Sequence, residues 1–255
     1  MAKGHKDKVA VITGGASGLG QAFSKRLAEE GVDIAVVDVA DGAETVKLVE
    51  AAGRKAIYVK CDVSSEDGVA AMAKTVKATF SHVDIVINSA GIFPQMELAS
   101  LTFADWRKVL STNLDGTFLV SMAFIEGMKR CGWGRIVNLS SSTFGSVVTG
   151  FVPYVASKAG IIGFTRALAS ELGEMGVTVN AIQPGLTRTP GGASRAPRAG
   201  FATIEDEFLS VAQMQAIKRV ETPDDLVGTV SFLTSDDAGF ITGQTLNVDG
   251  GRVRT

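Results

Sequence analysis

Tyr154 is one of only two tyrosines in the chain, and it sits in FVPYVASKAG with Lys158 four positions on. On a helix that spacing stacks a phenol and an ammonium on one face, one turn apart. A nearby ammonium stabilises phenolate, so the Tyr154 pKa is expected to fall from its ordinary value of about 10 toward neutrality. Ser141 precedes the tyrosine in GRIVNLSSST, where a Val/Ile-rich run gives way to three serines, Ser140, Ser141 and Ser142. A serine, a tyrosine and a lysine converging at one edge of a sheet make an acid–base site for hydride transfer at a carbon–oxygen bond.

The elements that must position those groups are legible as short apolar runs at Val9–Thr13, Asp33–Val39, Ala56–Val63, Asp84–Asn88, Arg135–Ser140, Thr178–Gln183 and Thr245–Val248. Helix-like stretches such as Gln21–Glu30, Ser65–Thr79 and Tyr154–Glu174 alternate with them. Strands apolar on both faces, alternating with helices, predict a doubly wound α/β fold around a parallel sheet in one domain spanning residues 1–255. In ETPDDL, Thr222 and Pro223 mark a helix start, with Asp224 and Asp225 facing the positive end of the dipole. The segment 186–219 contains TPGGASRAPRAG, where glycine and proline erase any periodicity, and is expected to act as a mobile lid.

The first strand runs into TGGASGLG, which places Gly14, Gly15, Gly18 and Gly20 at the opening of the first helix. Helix N-terminal N–H groups beside bare backbone suit a pyrophosphate. The spacing is neither the usual G-x-G-x-x-G nor a Walker loop, since the lysine and Ser/Thr of the latter are missing. Asp38 ends the second strand, where a carboxylate can bond the 2′- and 3′-hydroxyls of an adenosine ribose and repel a 2′-phosphate. With no basic side chain at Val39 or at residues 14–17, NAD is the expected coenzyme rather than NADP. Asp62 and Val63 after the third strand, and Asn88 at the end of the fourth, fall at the same carboxyl edge.

Composition narrows the partners. A formal net charge of -2 without a basic run speaks against nucleic acid, and no apolar stretch approaches the ~18 residues that span a bilayer. Cys61 and Cys131 lack a C-x-x-C spacing, and His5 and His82 form no ligand pair, so neither a disulfide framework nor a metal site is expected. A cytoplasmic enzyme acting on a small molecule is the expectation.

Taken together, TGGASGLG, Asp38, CDV, NSAG, Asn113 in STNLDGTF, Ser141, YVASK, NAIQPGLTRT and ITGQTLNVDGG resemble the compact type of short-chain dehydrogenase/reductase from about Lys8 to Gly251. The resemblance implies Tyr154 as acid/base, Lys158 lowering its pKa while holding the nicotinamide ribose, Ser141 orienting the substrate oxygen, and Asn113 holding a proton-relaying water. It also implies that Gly14, Ser17, Leu19, Asp38, Asp62, Val63 and Asn88 line the adenosine and pyrophosphate, and that Pro184, Gly185, Thr187 and Thr189 face the nicotinamide. Ser89 replaces the family's second asparagine, at a position expected to brace the sheet. A seven-strand order 3-2-1-4-5-6-7 and a homotetramer follow from the same resemblance.

The substrate is expected to be an apolar secondary alcohol or ketone, aryl or alicyclic, held by Phe93, Thr143, Phe144, Phe151 and Leu186. More loosely, the chain is similar to bacterial dehydrogenases of 1-phenylethanol-type and alicyclic alcohols. Lid closure is expected to bring in Phe201, Phe208 or Met214, leaving Arg195 and Arg198 in solvent. Other readings stay open: a 3-ketoacyl-type reductase, a hydroxy-acid or sugar-acid dehydrogenase if Arg195 and Arg198 face inward, and a non-catalytic NAD-binding protein.

Overall fold

The structure is a computed structural model that describes residues 3–198 and 200–254; Met1, Ala2, Thr255 and Ala199, within the expected lid, lie outside the described residues. Among the described residues seven strands, β1 (Val9–Thr13), β2 (Asp33–Asp38), β3 (Ala56–Lys60), β4 (Ile85–Asn88), β5 (Gly134–Leu139), β6 (Val177–Pro184) and β7 (Thr245–Val248), form one parallel sheet in the order β3-β2-β1-β4-β5-β6-β7. The central strands β1, β4, β5 and β6 are buried along their whole length, whereas β3 and β7 at the edges are mostly half-buried. That is the pattern of a parallel sheet covered on both faces.

Side chains alternate across the sheet and so feed two cores. Val9 and Val11 of β1 join Met72 and Val76 of α3 (Glu66–Thr79), Phe124 and Met128 of α5 (Gly116–Cys131) and Leu172 of α6 (Val152–Leu172). Ala10 and Ile12 join Phe23 and Leu27 of α1 (Gly18–Glu29) and Leu226, Val230 and Leu233 of α9 (Asp224–Thr234) on the other face. Strand order reverses between β1 and β4, which opens a crevice at their carboxyl ends, the preferred ligand position in such sheets.

Two polar devices set the geometry of that edge. Asn88 and Asn138 face each other across β4 and β5; Asn88 Nδ2 donates to Asn138 Oδ1 (2.8 Å) and to Ser121 Oγ of α5 (2.9 Å). Asn138 Nδ2 in turn donates to Thr165 Oγ1 of α6 (2.9 Å), so one buried network ties two strands to the helix carrying Tyr154 and Lys158. The second device is Glu221, before α9, whose carboxylate accepts from Gly185 N and from the Thr187 hydroxyl and so fixes the turn that leaves β6. Burial pushes its pKa up to about 7, against the lowering effect of those two donors.

Replacing Asn138 with alanine strands groups on both neighbours, each at about 1–3 kcal/mol. Urea unfolding should therefore report a loss of roughly 2–4 kcal/mol; a change below about 0.5 kcal/mol would show that the network is not structural. Glu221 gives a pH signature. Its folded-state pKa lies above the ordinary 4.5, so its contribution to stability is full below that value and is lost as pH rises through about 7. Thermal unfolding of the wild type relative to Glu221→Gln should weaken between pH 5 and pH 8 by up to about 3 kcal/mol. A pH-independent difference contradicts the assignment.

Candidate functional site

Tyr154 and Lys158 lie one turn apart near the start of α6, whose first turn carries Pro153. Pro153 suits that place because the missing N–H would have had no intrahelical partner. The helix is locked to the sheet edge from both sides: Lys158 Nζ donates to the carbonyl of Leu139 at the end of β5 (2.7 Å), and Ser140 Oγ donates back to the Lys158 carbonyl (2.8 Å). Burial without a carboxylate partner holds the Lys158 pKa down at about 8. Tyr154 is flanked edge-on by Phe93 and Phe151, with ring centroids 6.3 and 6.0 Å away.

The Tyr154 phenol differs from the sequence expectation. Its pKa is raised, because desolvation among these rings outweighs the opposing hydrogen bond with Ser141. Lys158 Nζ stands 5.8 Å from the tyrosine ring centroid and gives one of its three donors to Leu139, and desolvation rather than the ammonium governs the phenol in this arrangement. Ser141 is placed by β6, since Gln183 Nε2 donates to its carbonyl (3.0 Å), and its Oγ accepts from both the Thr143 N–H and the Thr143 hydroxyl. With both acceptor directions engaged, the serine hydroxyl is left to donate, on the side where Tyr154 stands.

Asn113 lies at the centre of a π-helical turn, Ser111–Asp115, between α4 (Phe103–Leu110) and α5. Its side chain grips the backbone of Ile92 in both directions (2.8 and 2.9 Å) and donates to Ser157 Oγ (3.0 Å), which donates to the Tyr154 carbonyl (2.7 Å). Asn113 thus joins the turn after β4 to the tyrosine helix. Ser157, a small residue inside YVASK, carries no signal that would have singled it out in sequence.

The cleft around these residues has two continuous lobes sharing Leu19, Ser89, Gly91, Phe93 and Thr189. One lobe lies over Gly14, Ser17, Gly18, Gly20, Asp38, Asp62 and Val63. Gly14 has φ +64°, and a Cβ at Gly20 would overlap the Gly14 carbonyl, which explains the glycines. Ser17 precedes α1 without a side-chain cap, so the first N–H groups of that helix stay available to an anion. Asp38 accepts from Ala16 N and Ala40 N, both at 3.0 Å, and keeps its place in the cleft wall. Ser64 donates twice to Asp62 and holds its carboxyl below the usual range. This bare, N–H-lined floor with a carboxylate at its end fits a dinucleotide.

Asn88 and Ser89 exchange their expected places. Asn88 braces the sheet with its side chain buried, while Ser89, expected as the brace, lines both lobes. Strand alternation is the cause, since adjacent residues at a strand end point to opposite sides.

The second lobe is walled by Ser141, Tyr154, Lys158, Phe93, Thr143, Phe151, Pro184, Gly185, Leu186, Thr187 and Thr189. Phe144 does not line it; the 3₁₀ turn Ser142–Gly145 carries that ring outward, half-exposed. The lid side also differs from expectation. Phe208 of α8 (Ile204–Met214) is buried beneath Arg188, and Met214 is exposed. Arg195, Arg198 and Arg252 line the lobe instead, together with Glu207. Spacing in sequence gave no sign of this grouping, because Arg252 arrives from beyond β7.

A family model described as Enoyl-(Acyl carrier protein) reductase matches residues 14–252. The chain is 39% identical over 97% of its length to the short-chain reductase protein NovJ of Streptomyces niveus, 94% of which is covered. It is 36% identical to cis-4-hydroxycyclohexanecarboxylate dehydrogenase of Sinomonas cyclohexanicum over 98% of both chains. A crystal structure of actinorhodin polyketide ketoreductase with NADPH superposes with a TM-score of 0.91 at 34% identity, covering 99% of each chain. No helix among the described residues is long and apolar enough to cross a membrane. The seven-stranded parallel sheet matches these structural neighbours, and the chain belongs to the short-chain dehydrogenase/reductase family, oxidoreductases that use a nicotinamide cofactor.

Proposed function

We propose that the protein is an NAD-dependent dehydrogenase that interconverts a ring-bearing secondary alcohol and its ketone, with Ser141, Tyr154, Lys158 and Asn113 as its machinery. The observation that carries this reading is one cleft running from Asp38, over the glycine floor, to the Tyr154 phenol. The residues proposed to hold the cofactor are Gly14, Ser17, Leu19, Asp38, Asp62 and Val63 at the adenosine end, and Lys158, Pro184, Gly185, Thr187 and Thr189 at the nicotinamide end. Asn88 serves that site through the sheet. Bound there, the nicotinamide would supply the hydride acceptor or donor for the reaction.

Ser141 donates a hydrogen bond to the substrate oxygen and so fixes its distance from Tyr154. In the oxidation direction Tyr154 takes the hydroxyl proton as the carbinol hydrogen leaves as hydride; in reduction it returns a proton to the developing alkoxide. The Lys158 ammonium stabilises phenolate in a site where burial disfavours it. Asn113 keeps Tyr154 and the turn after β4 in register. Segment 186–219 serves as the lid, with Phe93, Phe151 and Leu186 gripping the ring and Thr143 holding Ser141 in place.

The coenzyme preference rests on Asp38 together with Val39, which is 59% exposed beside it. No basic residue lines the adenosine lobe among the described residues, so a 2′-phosphate meets a carboxylate and no counter-charge. The ketoreductase relative with NADPH makes this the point to test directly. Replacement of Asp38 by serine together with Val39 by arginine removes the repulsion and supplies a phosphate partner. Family resemblance and the exposed Phe118 and Met122 of α5 support a homotetramer built through helix faces, in the cytoplasm.

Three outcomes are expected. Tyr154→Phe lowers kcat by about 10²–10⁴-fold while NAD binding by fluorescence titration persists; retention of more than a tenth of the rate assigns the proton transfer elsewhere. Wild-type kcat/KM favours NAD over NADP, and the Asp38/Val39 double variant erases or reverses that order; equal use by the wild type refutes the role of Asp38. Because the Tyr154 pKa is raised, alcohol oxidation should accelerate as pH rises from 7 toward 10 while ketone reduction declines. Parallel profiles for the two directions would exclude Tyr154 as the titrating group.

A further inference from the structure

The lid side of the substrate lobe has a charge structure that hydride transfer does not require. Glu207, fully buried on α8, holds both lid arginines: Arg195 Nη1 donates to Oε2 (2.9 Å), and the Arg198 backbone N–H donates to the same oxygen (2.9 Å). Both guanidiniums also reach Oε1, and their side chains are only 19% and 20% exposed. The two cations therefore share a single carboxylate.

Arg252 approaches from the other end of the chain. Asp249 accepts from the N–H groups of Gly251, Arg252 and Val253, and Gly250 and Gly251 take φ +67° and +77°, so the chain turns sharply after β7. The Gly250 carbonyl accepts from Ile217 N (2.9 Å), which fastens this turn to the end of the lid segment. Among the described residues the Arg252 guanidinium has no ion pair, although it is half-buried in the cleft wall. Burial, and then the charge of Arg198, push its pKa down against the opposing charge of Asp249, so it is a partly desolvated cation beside a second one. Counting Arg195, Arg198 and Arg252 against Glu207 and Asp249 leaves one positive charge in excess before Lys158 is considered. Asp249 is also buried and committed to three backbone donors.

An unpaired guanidinium is costly to bury unless an anion completes it, and its planar fork matches a carboxylate. We propose that Arg252 and Arg198 form a carboxylate-recognition site, so that the substrate is a cyclic hydroxy acid whose carboxylate lies across the ring from the hydroxyl held by Ser141 and Tyr154. This rests on the reading of the cleft as an alcohol dehydrogenase site and deepens it. The rings of Phe93 and Phe151 grip the apolar body, and the arginines read its far end. The similarity to cis-4-hydroxycyclohexanecarboxylate dehydrogenase agrees with this chemistry.

The test compares acid and neutral isostere within each protein, so that any general loss of activity cancels. Calorimetry on the NADH-loaded enzyme measures cyclohexanecarboxylate against cyclohexanecarboxamide, and kinetics measures 4-hydroxycyclohexanecarboxylate, cis and trans, against its carboxamide. Arg252→Gln is the first variant because Arg252 holds no ion pair among the described residues and the buried Asp249 near it keeps its three backbone donors; Arg252→Lys keeps the charge without the fork. The wild type should prefer the acid at least tenfold in Kd and kcat/KM, Arg252→Gln should bring the ratio within threefold of one, and Arg252→Lys should fall between. A wild-type ratio near one, or a ratio that Arg252→Gln leaves unchanged, overturns the proposal. Preference for 3-hydroxybutyryl-CoA over the free acids does so too, by assigning the arginines to phosphate. If the acid binds tenfold tighter but no cyclic alcohol is oxidised, the carboxylate site stands and the dehydrogenase reading fails.

Discussion

A lysine ammonium buried without a carboxylate partner is the constraint around which this site is organised. Lys158 is tolerable in that position only because Leu139 at the end of β5 turns its carbonyl toward Nζ, and because Ser140 anchors the lysine's own carbonyl in return. Such a bond demands that α6 sit at a fixed height over β5. The Asn88–Asn138–Thr165 network supplies that height from the sheet, and the Ile92–Asn113–Ser157 chain supplies it from the crevice side. Tyr154, one turn earlier on the same helix, inherits its position from these contacts. The groups proposed to react are therefore held by rigid elements, which is what a narrow proton-transfer geometry requires.

The two sides of the substrate lobe differ in kind. One wall comes from β5, α6 and the turn after β4, each tied to the sheet by buried hydrogen bonds. The other comes from the segment after β6, which is fastened at its base by Glu221 and further out by Glu207. These carboxylates behave differently: burial carries Glu221 up to about 7, while the arginines and their donors hold Glu207 below its ordinary range despite burial. The base of the lid is thus sensitive to protonation near neutrality, whereas its arginine-bearing face stays charged.

Much of this architecture was readable in the chain. The β1 and β7 segments appear where the valine- and isoleucine-rich runs place them, and the others differ by one to three residues at their ends. Those differences arise where hydrogen bonding, not hydrophobicity, ends the ladder. That the glycine turn, Asp38, Ser141, Tyr154 and Lys158 meet in one cleft was legible because each stands at a fixed distance from a strand end. The exchange of Asn88 and Ser89 was not, since one residue of register at a strand terminus decides which side chain faces the sheet. The outward turn of Phe144 was not legible because a 3₁₀ turn carries no periodicity from which orientation follows, and Phe208 lies on the face of α8 that packs into the protein. The grouping of Arg195 and Arg198 with Arg252 depends on a contact between the lid and the tail after β7, and no local pattern encodes it. The raised Tyr154 pKa has no signature in the chain, because the Tyr–Lys spacing reports proximity but not desolvation.

The most direct measurement follows an isotope. The protein is incubated with NAD and cyclohexanol deuterated at the carbinol carbon, and the reduced nucleotide is weighed by mass spectrometry. If the cleft joins the alcohol carbon to the nicotinamide as described, the NADH formed carries one deuterium, and Tyr154→Phe forms far less of it. Reduced nucleotide without deuterium, or none from any ring-bearing alcohol despite bound NAD, would contradict the assignment of this cleft to hydride transfer.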